Sequence, residues 1–230
     1  AFAGGGHQGA ALVGRVGQQG HQAVVGHALQ ELGDGGLFGQ HVVRQLADGD
    51  GAGAAWLHQH GADLSRPCVA FAPGTNLQSK RWPQERFEEV GRRLIERFDI
   101  WPVVLGGPED VESGQQLISA WGRGTLAAHQ LSVRQSAAVL SHCALYIGND
   151  TGVMHLAASE KVPCVAVFSA RDLAGKWEPL GAGHTVLRSD VSCAGCMLVR
   201  CEEEQRRCLM QITVDEVVGH AARVLVCAAP

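Results

Sequence analysis

The stretch at residues 148–158, Gly-Asn-Asp-Thr-Gly-Val-Met-His-Leu-Ala-Ala, combines groups that could bind an anion. Glycines at 148 and 152 permit backbone conformations that a Cβ would forbid, and the helix that begins here leaves N–H groups without intrahelical partners. Such a turn can cradle a phosphate. Asp150 and Thr151 are also good N-cap residues, so an ordinary helix cap is the alternative interpretation.

Two earlier loops also follow apolar runs and carry polar side chains. Residues 106–112 contain Glu109, which could accept hydrogen bonds from ribose hydroxyls. The turn at 148–155 adds backbone N–H groups, Thr151 and His155. Ligands of parallel α/β sheets bind beyond the carboxyl ends of the strands, so all three loops are predicted to form one site. The first loop, residues 73–81, supplies a hydroxyl and cation set suited to a diphosphate: Thr75, Asn76, Ser79, Lys80 and Arg81.

Each of these side chains also has an interpretation without function. Lys80 and Arg81 could be solvated loop charges, and Glu109 could stabilise a helix N-terminus through the macrodipole. A single histidine such as His155, between apolar neighbours, is more often a core residue than a ligand contact. Asp150 would repel a phosphate, so its place in the turn makes sense if it accepts from sugar hydroxyls or loop N–H groups.

The elements that position these loops alternate between strands and helices. Short apolar runs predict strands at residues 68–72, 101–105, 125–130, 144–147, 164–168 and 185–187. Helical spacing and capping-box residues predict helices at residues 83–99, 111–121, 132–140, directly after 151, and 213–225. This alternation implies an α/β fold: a Rossmann-like parallel sheet with helices on both faces.

Length and charge set further bounds. A chain of 230 residues suits one large domain or two small ones. The formal net charge of −4 gives no general attraction to nucleic acid or to an anionic membrane, so no nucleic-acid partner is expected. The sequence has no run of about 18 apolar residues and no secretory signal pattern. We therefore expect a soluble, cytoplasmic protein.

The first 66 residues differ in composition from the rest. They hold 16 of the 30 glycines, 6 of the 11 histidines and no lysine. No pair of these histidines has the spacing of a metal-ligand motif, so a biased, poorly ordered segment is favoured over metal binding. We predict that residues 1–66 form an atypical Gly/His/Gln-rich segment, truncated or disordered, and that residues 67–230 form a nucleotide-sugar-binding domain.

A cysteine cluster lies near the end of the chain. Cys193, Cys196, Cys201 and Cys208 offer four thiolates within sixteen residues, which is enough for a tetrahedral structural zinc site. The spacing is tighter than in common four-cysteine zinc modules. Reduced, partly buried thiols or a pair of disulfides are the alternatives.

The three loops together carry a resemblance to a known family. The order of Pro73-Gly74-Thr75, Lys80-Arg81-Trp82-Pro83, Gly106-Gly107-Pro108-Glu109 and the stretch at 148–158 resembles glycosyltransferase family 9, the heptosyltransferases of lipopolysaccharide assembly. The similarity extends over residues 68 to 226, which match the C-terminal, nucleotide-sugar-binding domain of that family.

The resemblance implies the C-terminal half of a GT-B fold and an inverting transfer of a sugar, heptose above all, from an ADP-sugar donor. It implies no required cofactor, a lipopolysaccharide core or other glycan as acceptor, and peripheral association with the inner membrane. Glu109 would contact the ribose, and Asp150 would hold the donor sugar. The diphosphate would be held by residues that match the family's motifs: Lys80, Thr151, Gly152 and His155. Trp82 is predicted to be a core residue rather than a ligand contact.

The sequence departs from the family at its N-terminus. Family members have an acceptor domain of well over a hundred residues, with an aspartate thought to act as general base. No motif assigns that role to Asp34, Asp48, Asp50 or Asp63, so no catalytic residue is assigned. A noncatalytic nucleotide-sugar-binding fragment is therefore the alternative hypothesis. A dehydrogenase is disfavoured because Pro73-Gly74-Thr75-Asn76 follows the first strand instead of Gly-x-Gly-x-x-Gly.

Overall fold

A computed structural model describes residues 51–228, and its centre is a six-stranded parallel sheet. The strand order is β3-β2-β1-β4-β5-β6. The chain therefore moves outward from β1 to β3 on one side and from β4 to β6 on the other. The strands are β1 (Cys68–Ala72), β2 (Trp101–Val104), β3 (Thr125–Leu126), β4 (Leu145–Asn149), β5 (Cys164–Val167) and β6 (Thr185–Leu187).

Helices connect the strands and cover both faces. The helices are α1 (Ala52–Gln59), α2 (Gln84–Phe98), α3 (Val111–Trp121), α4 (Val133–Leu140), α5 (Gly152–Ser159), α6 (Arg207–Met210) and α7 (Val214–Ala228). Short 3-10 turns at Gln78–Lys80 and Pro108–Asp110 follow β1 and β2. The capping boxes predicted from the sequence begin α4 and α7, where Ser132 and Thr213 accept from the backbone three residues later.

Two hydrophobic cores lie on opposite faces of the sheet because alternate strand residues point in opposite directions. Ala70 of β1 belongs to the core beneath α1, α4 and α5. Its neighbours Val69 and Phe71 belong to the core beneath α2, α3 and α7. The predicted α/β architecture with helices on both faces is confirmed.

The third strand is shorter than predicted. The sequence indicated residues 125–130, but β3 spans Thr125–Leu126. Beyond it, His129 adopts a left-handed conformation with φ of 60°, and its N–H donates to the carbonyl of Gly106. The apolar run therefore continues past the strand as a turn that packs beside the loop after β2.

Part of the segment that we predicted to be atypical packs into this fold. Helix α1 lies within the first 66 residues, and its Leu57 is fully buried in the core that it shares with α4. The predicted boundary between residues 66 and 67 thus assigns α1 and α4 to different segments, although the two helices pack against each other. The prediction for residues 1–50 lies outside the described residues.

No helix in residues 51–228 is both long enough and apolar enough to cross a bilayer.

The packing of α1 can be tested at a glycine. A Cβ at Gly53 would lie 2.2 Å from the carbonyl oxygen of Ala138 in α4, so the two backbones are in close contact. We expect Gly53→Ala to destabilise the protein by about 1–3 kcal/mol in chemical unfolding, because α1 must move away from α4.

Gly219→Ala in α7 is the matched control. A Cβ at this position meets nothing within 4 Å. The better helix propensity of alanine should stabilise this variant by about 0.5–1 kcal/mol. Equal stabilisation by both substitutions would show that α1 does not pack against α4 as described.

Candidate functional site

The loops after β1, β2 and β4 meet at the carboxyl edge of the sheet, where the sequence predicted a site. These strands are neighbours in the order β2-β1-β4, and the direction of chain progression reverses between β1 and β4. Such a switch point opens a crevice between the loops on either side. The loop after β5, adjacent to β4, also reaches this crevice through Asp172.

Lys80 contacts the loops after β4 and β5. Its Nζ lies 2.5 Å from Oδ2 of Asp150 and 3.3 Å from Oδ2 of Asp172. The three side chains are only 13%, 8% and 4% exposed, respectively, so solvent screens their charges weakly. The interpretation of Lys80 as a solvated loop charge is therefore wrong.

A second cation completes this cluster. Arg171 Nη1 lies 2.8 Å from the same Asp172 oxygen that faces Lys80. Burial acts to raise the pKa of Asp172, but Lys80 and Arg171 bring that pKa below its ordinary value. The Asp172 side chain is thus ionised at neutral pH, and it pairs with both Lys80 and Arg171.

Asn149 joins the loop after β1 to the motif after β4. Its side chain is fully buried, and its Nδ2 donates to the carbonyl of Pro73 at 2.6 Å. Its Oδ1 accepts from the backbone N–H of Trp82 at 3.2 Å. Lys80 lies between these two attachment points, so Asn149 fixes the loop that carries the ammonium.

Trp82 anchors the same loop in the core, as predicted. Its side chain is fully buried, donates through Nε1 to the carbonyl of Ile212, and contacts Phe87 edge to face at 4.9 Å.

A buried carboxylate holds the loop after β2. Asp110 is 7% exposed, and its Oδ2 accepts from the N–H of Gly107 at 2.9 Å. A Cβ at Gly74 would lie 1.8 Å from Asp110 Oδ1, and one at Gly106 would lie 2.4 Å from Oδ2. Two glycines are therefore needed where the carboxylate passes between the loops. Burial raises the pKa of Asp110.

Glu109, the acidic residue predicted for this loop, is exposed at its surface. It lies at the carboxyl edge but not within the buried cluster.

The turn before α5 is not an ordinary capped helix start. Thr151 occupies the N-cap position but forms no side-chain capping bond, and the Asp150 carboxylate is engaged by Lys80. Tyr146 Oη lies 3.4 Å from Thr151 Oγ1. Helix α5 thus begins at the exposed Gly152 without a side-chain cap. Its first backbone N–H groups are therefore available to bind an anion.

His155 lies one turn into α5 and is partly buried. Burial lowers the pKa of His155, Asp150 acts to raise it and Lys80 acts to lower it. The net shift is downward, so the imidazole is neutral at pH 7 and can offer one N–H donor.

The structure therefore brings Lys80 and Asp150 into direct contact, and it leaves the other predicted residues on the surrounding loops and in the first turn of α5. Thr75 is buried, and its carbonyl accepts from Arg81 Nη2 at 2.8 Å. Asn76 is exposed on the same loop. The sequence analysis missed the residues that fix these groups in place, which are Asp110, Asn149, Arg171 and Asp172.

The four clustered cysteines do not form a metal centre in this structure. All four are free thiols, with Cys201 buried, Cys196 exposed, and Cys193 and Cys208 intermediate. Within residues 51–228, no group of three or more His, Cys, Asp or Glu side chains is arranged to hold a metal ion. The zinc hypothesis finds no support in the described residues.

The cysteine segment instead packs against the Lys80 turn. Ser79 donates through its N–H to the carbonyl of Val199 and through its Oγ to the carbonyl of Leu198. The N–H of Cys201 donates to Gln78 Oε1 at 3.0 Å.

A separate open groove of about 690 Å³ lies near the amino end of the sheet. Arg66 and Arg123 line it, but both guanidinium groups are paired with Asp99, and Arg66 is also paired with Asp63. The carboxyl edge carries the buried cluster of Lys80, Asp150 and Asp172, and we take it as the candidate site.

Two curated heptosyltransferases are similar in sequence to part of this chain. Lipopolysaccharide heptosyltransferase 2 of Escherichia coli K12 is 29% identical over 133 residues, which is 54% of this chain and 37% of that protein. Lipopolysaccharide heptosyltransferase 1 of Pseudomonas aeruginosa PAO1 is 30% identical over 152 residues, covering 64% of this chain and 42% of that protein. The chain thus spans less than half the length of these relatives.

The fold also matches a solved structure. That of E. coli ADP-heptose lipopolysaccharide heptosyltransferase II aligns with a TM-score of 0.65 at 23% identity, over 78% of this chain and 52% of that one. The family model described as "Glycosyltransferase family 9 (heptosyltransferase)" matches residues 43–206. This chain therefore belongs to glycosyltransferase family 9, the heptosyltransferases.

Proposed function

We propose that this chain provides the donor-binding half of a heptosyltransferase. It binds an ADP-sugar at the carboxyl edge of its sheet. Together with an acceptor domain, it transfers the sugar, heptose, with inversion to a lipopolysaccharide core at the inner membrane. The observation that carries the proposal is the pairing of Lys80 with Asp150, within the family's motifs, at the sheet's switch point.

The groups around the crevice suit the parts of such a donor. The Lys80 ammonium, the first N–H groups of α5 and neutral His155 are donors for the diphosphate oxygens. Asp150 accepts from hydroxyls of the sugar, and Glu109 accepts from hydroxyls of the ribose. Thr75, Asn76, Thr151 and Gly152 line the same edge.

The donors proposed for the diphosphate are all protein groups: the Lys80 ammonium, the first N–H groups of α5 and the His155 imidazole. We therefore propose that the transfer needs no cofactor.

An inverting transfer needs a base that removes the proton of the acceptor hydroxyl. Asp63 is unsuited to that role. It precedes β1, at the opposite edge of the sheet from Lys80, and bonds from Ser65 and Arg66 lower the pKa of its carboxyl to about 2. Asp34, Asp48 and Asp50 lie outside the described residues. We place the base on the acceptor domain.

The proposal predicts specific losses of ADP affinity. Lys80→Ala should weaken ADP binding by about 10–100-fold, because a charge-assisted hydrogen bond contributes about 1.5–3 kcal/mol. His155→Ala should weaken it by about 2–10-fold, because its neutral donor contributes less. Titration calorimetry measures both.

Lys161→Ala is the control for these variants. Lys161 is exposed beyond the far end of α5, so its removal should leave ADP affinity unchanged. Unaltered affinity in both Lys80→Ala and His155→Ala, with wild-type protein that binds ADP, would contradict the site assignment.

Asn149→Ala should behave differently because Asn149 fixes the site without being a ligand. The substitution leaves the Pro73 carbonyl and the Trp82 N–H unpaired in a buried region, which costs about 1–3 kcal/mol for each group. We expect a lower unfolding free energy and weaker ADP binding together. Gln115→Ala, at an exposed amide of α3, should change neither, and an unaltered unfolding midpoint for Asn149→Ala would refute this role.

A further inference from the structure

The Lys80 ammonium is largely occupied by protein groups. An ammonium has three N–H donors and no acceptor. Asp150 and Asp172 lie 2.5 Å and 3.3 Å from Nζ, so two of the three donors already face carboxylates. An incoming phosphate must use the third donor or displace one of the carboxylates.

Asp172 is held firmly in its position. Arg171 binds it at 2.8 Å, and Arg171 is in turn fixed by the carbonyls of Leu198 and Met197, at 2.7 Å from Nε and 3.1 Å from Nη2. The Leu198 carbonyl also accepts from Ser79 Oγ at 2.6 Å, next to Lys80 in the chain. The same backbone group thus fixes both the loop of the ammonium and the loop of its second counter-ion.

The charges of the cluster cancel. Lys80 and Arg171 are cations, Asp150 and Asp172 are anions, and all four side chains are at most 14% exposed. A diphosphate therefore meets a four-residue cluster with no net charge, and its attraction to Lys80 competes with two nearby carboxylates.

The two carboxylates are not equivalent. Asp150 lies in the turn before α5, where it can turn to a sugar hydroxyl when a donor binds. Asp172 is 4% exposed and bound between two cations, so it stays beside Lys80.

We infer that Asp172 is an affinity-setting residue, a fixed counter-ion of Lys80 that lowers the affinity of the site for the diphosphate. It therefore also lowers the affinity for ADP, the product that remains after the sugar has left. The inference rests on the proposed function, because it concerns the ADP moiety of that same donor. It assigns Asp172 a role through Lys80, without contact to the substrate.

The test is the ADP affinity of Asp172→Asn, measured by titration calorimetry in the whole chain at several salt concentrations. Asparagine keeps the size of the side chain and removes its charge. We expect ADP to bind about tenfold tighter, with a steeper loss of affinity as salt increases, because the ammonium is less neutralised. A loss of packing would weaken binding, so a gain in affinity separates this role from a structural one.

Two matched variants complete the experiment. Asp190→Asn removes an exposed carboxylate after β6 and should leave ADP affinity unchanged. In a Lys80→Gln background, Asp172→Asn should change affinity by no more than about twofold, because the group through which Asp172 acts is gone. Asp172→Ser is the second variant if Asp172→Asn does not melt cooperatively.

Each outcome is decisive. Equal or weaker ADP binding by Asp172→Asn, with normal wild-type binding, overturns the inference and leaves the proposed function standing. A tenfold gain that persists in the Lys80→Gln background also overturns it, because Asp172 would then act directly on the phosphate. Absence of ADP binding by the wild-type chain at millimolar concentration overturns the proposed function and the inference with it.

Discussion

The two hydrogen bonds of the buried Asn149 carboxamide are the constraint on which the site depends. One bond goes to the carbonyl of Pro73, at the start of the loop after β1, and the other comes from the N–H of Trp82, at its end. Lys80 lies on this loop, between the two bonded residues. Asn149 is also the last residue of β4, so the same amide ties that loop to the turn that holds Asp150. The pairing of Lys80 with Asp150 is a consequence, because the neutral Asn149 side chain fixes the backbone segments that carry the two charged groups.

The second constraint is electrostatic. Ion pairs with so little exposure are strong but cost desolvation, and they persist when each charge has more than one partner. Here Lys80 faces two carboxylates, Asp172 faces two cations, and Arg171 also binds two carbonyls. If Lys80 turns to a ligand, Asp172 keeps Arg171 as its partner, and Asp150 can take a donor hydroxyl in exchange for the ammonium. The crevice therefore combines a rigid backbone with exchangeable charge partners, as reversible binding of a charged donor requires.

Much of this arrangement could be predicted from the sequence, since strand ends in a parallel sheet share one edge. That rule predicted that the loops of Lys80 and Asp150 share one edge, but the ion pair between these two side chains, 70 residues apart in the chain, was not predicted. The rule also covers the loop after β5, where Asp172 follows a strand that pairs with β4. The same reasoning would have found Asp172.

Other residues could not be found in this way, because their partners are backbone groups that no side-chain pattern reveals. Asn149 bonds to Pro73 and Trp82, and Asp110 needs glycines at 74 and 106. Helix α1 was missed for a related reason. Its glycine content lowers helix propensity, but Gly53 is where the helix touches the backbone of α4, so a residue that weakens the local pattern is required by the packing.

The most direct test of the account is a crystal structure of the chain with ADP. The account predicts that the diphosphate lies in the crevice after β1 and β4, with a phosphate oxygen at about 3 Å from Lys80 Nζ and near the first N–H groups of α5. A diphosphate bound instead in the groove beside Arg66 and Arg123, with Lys80 still paired only to Asp150 and Asp172, would contradict it.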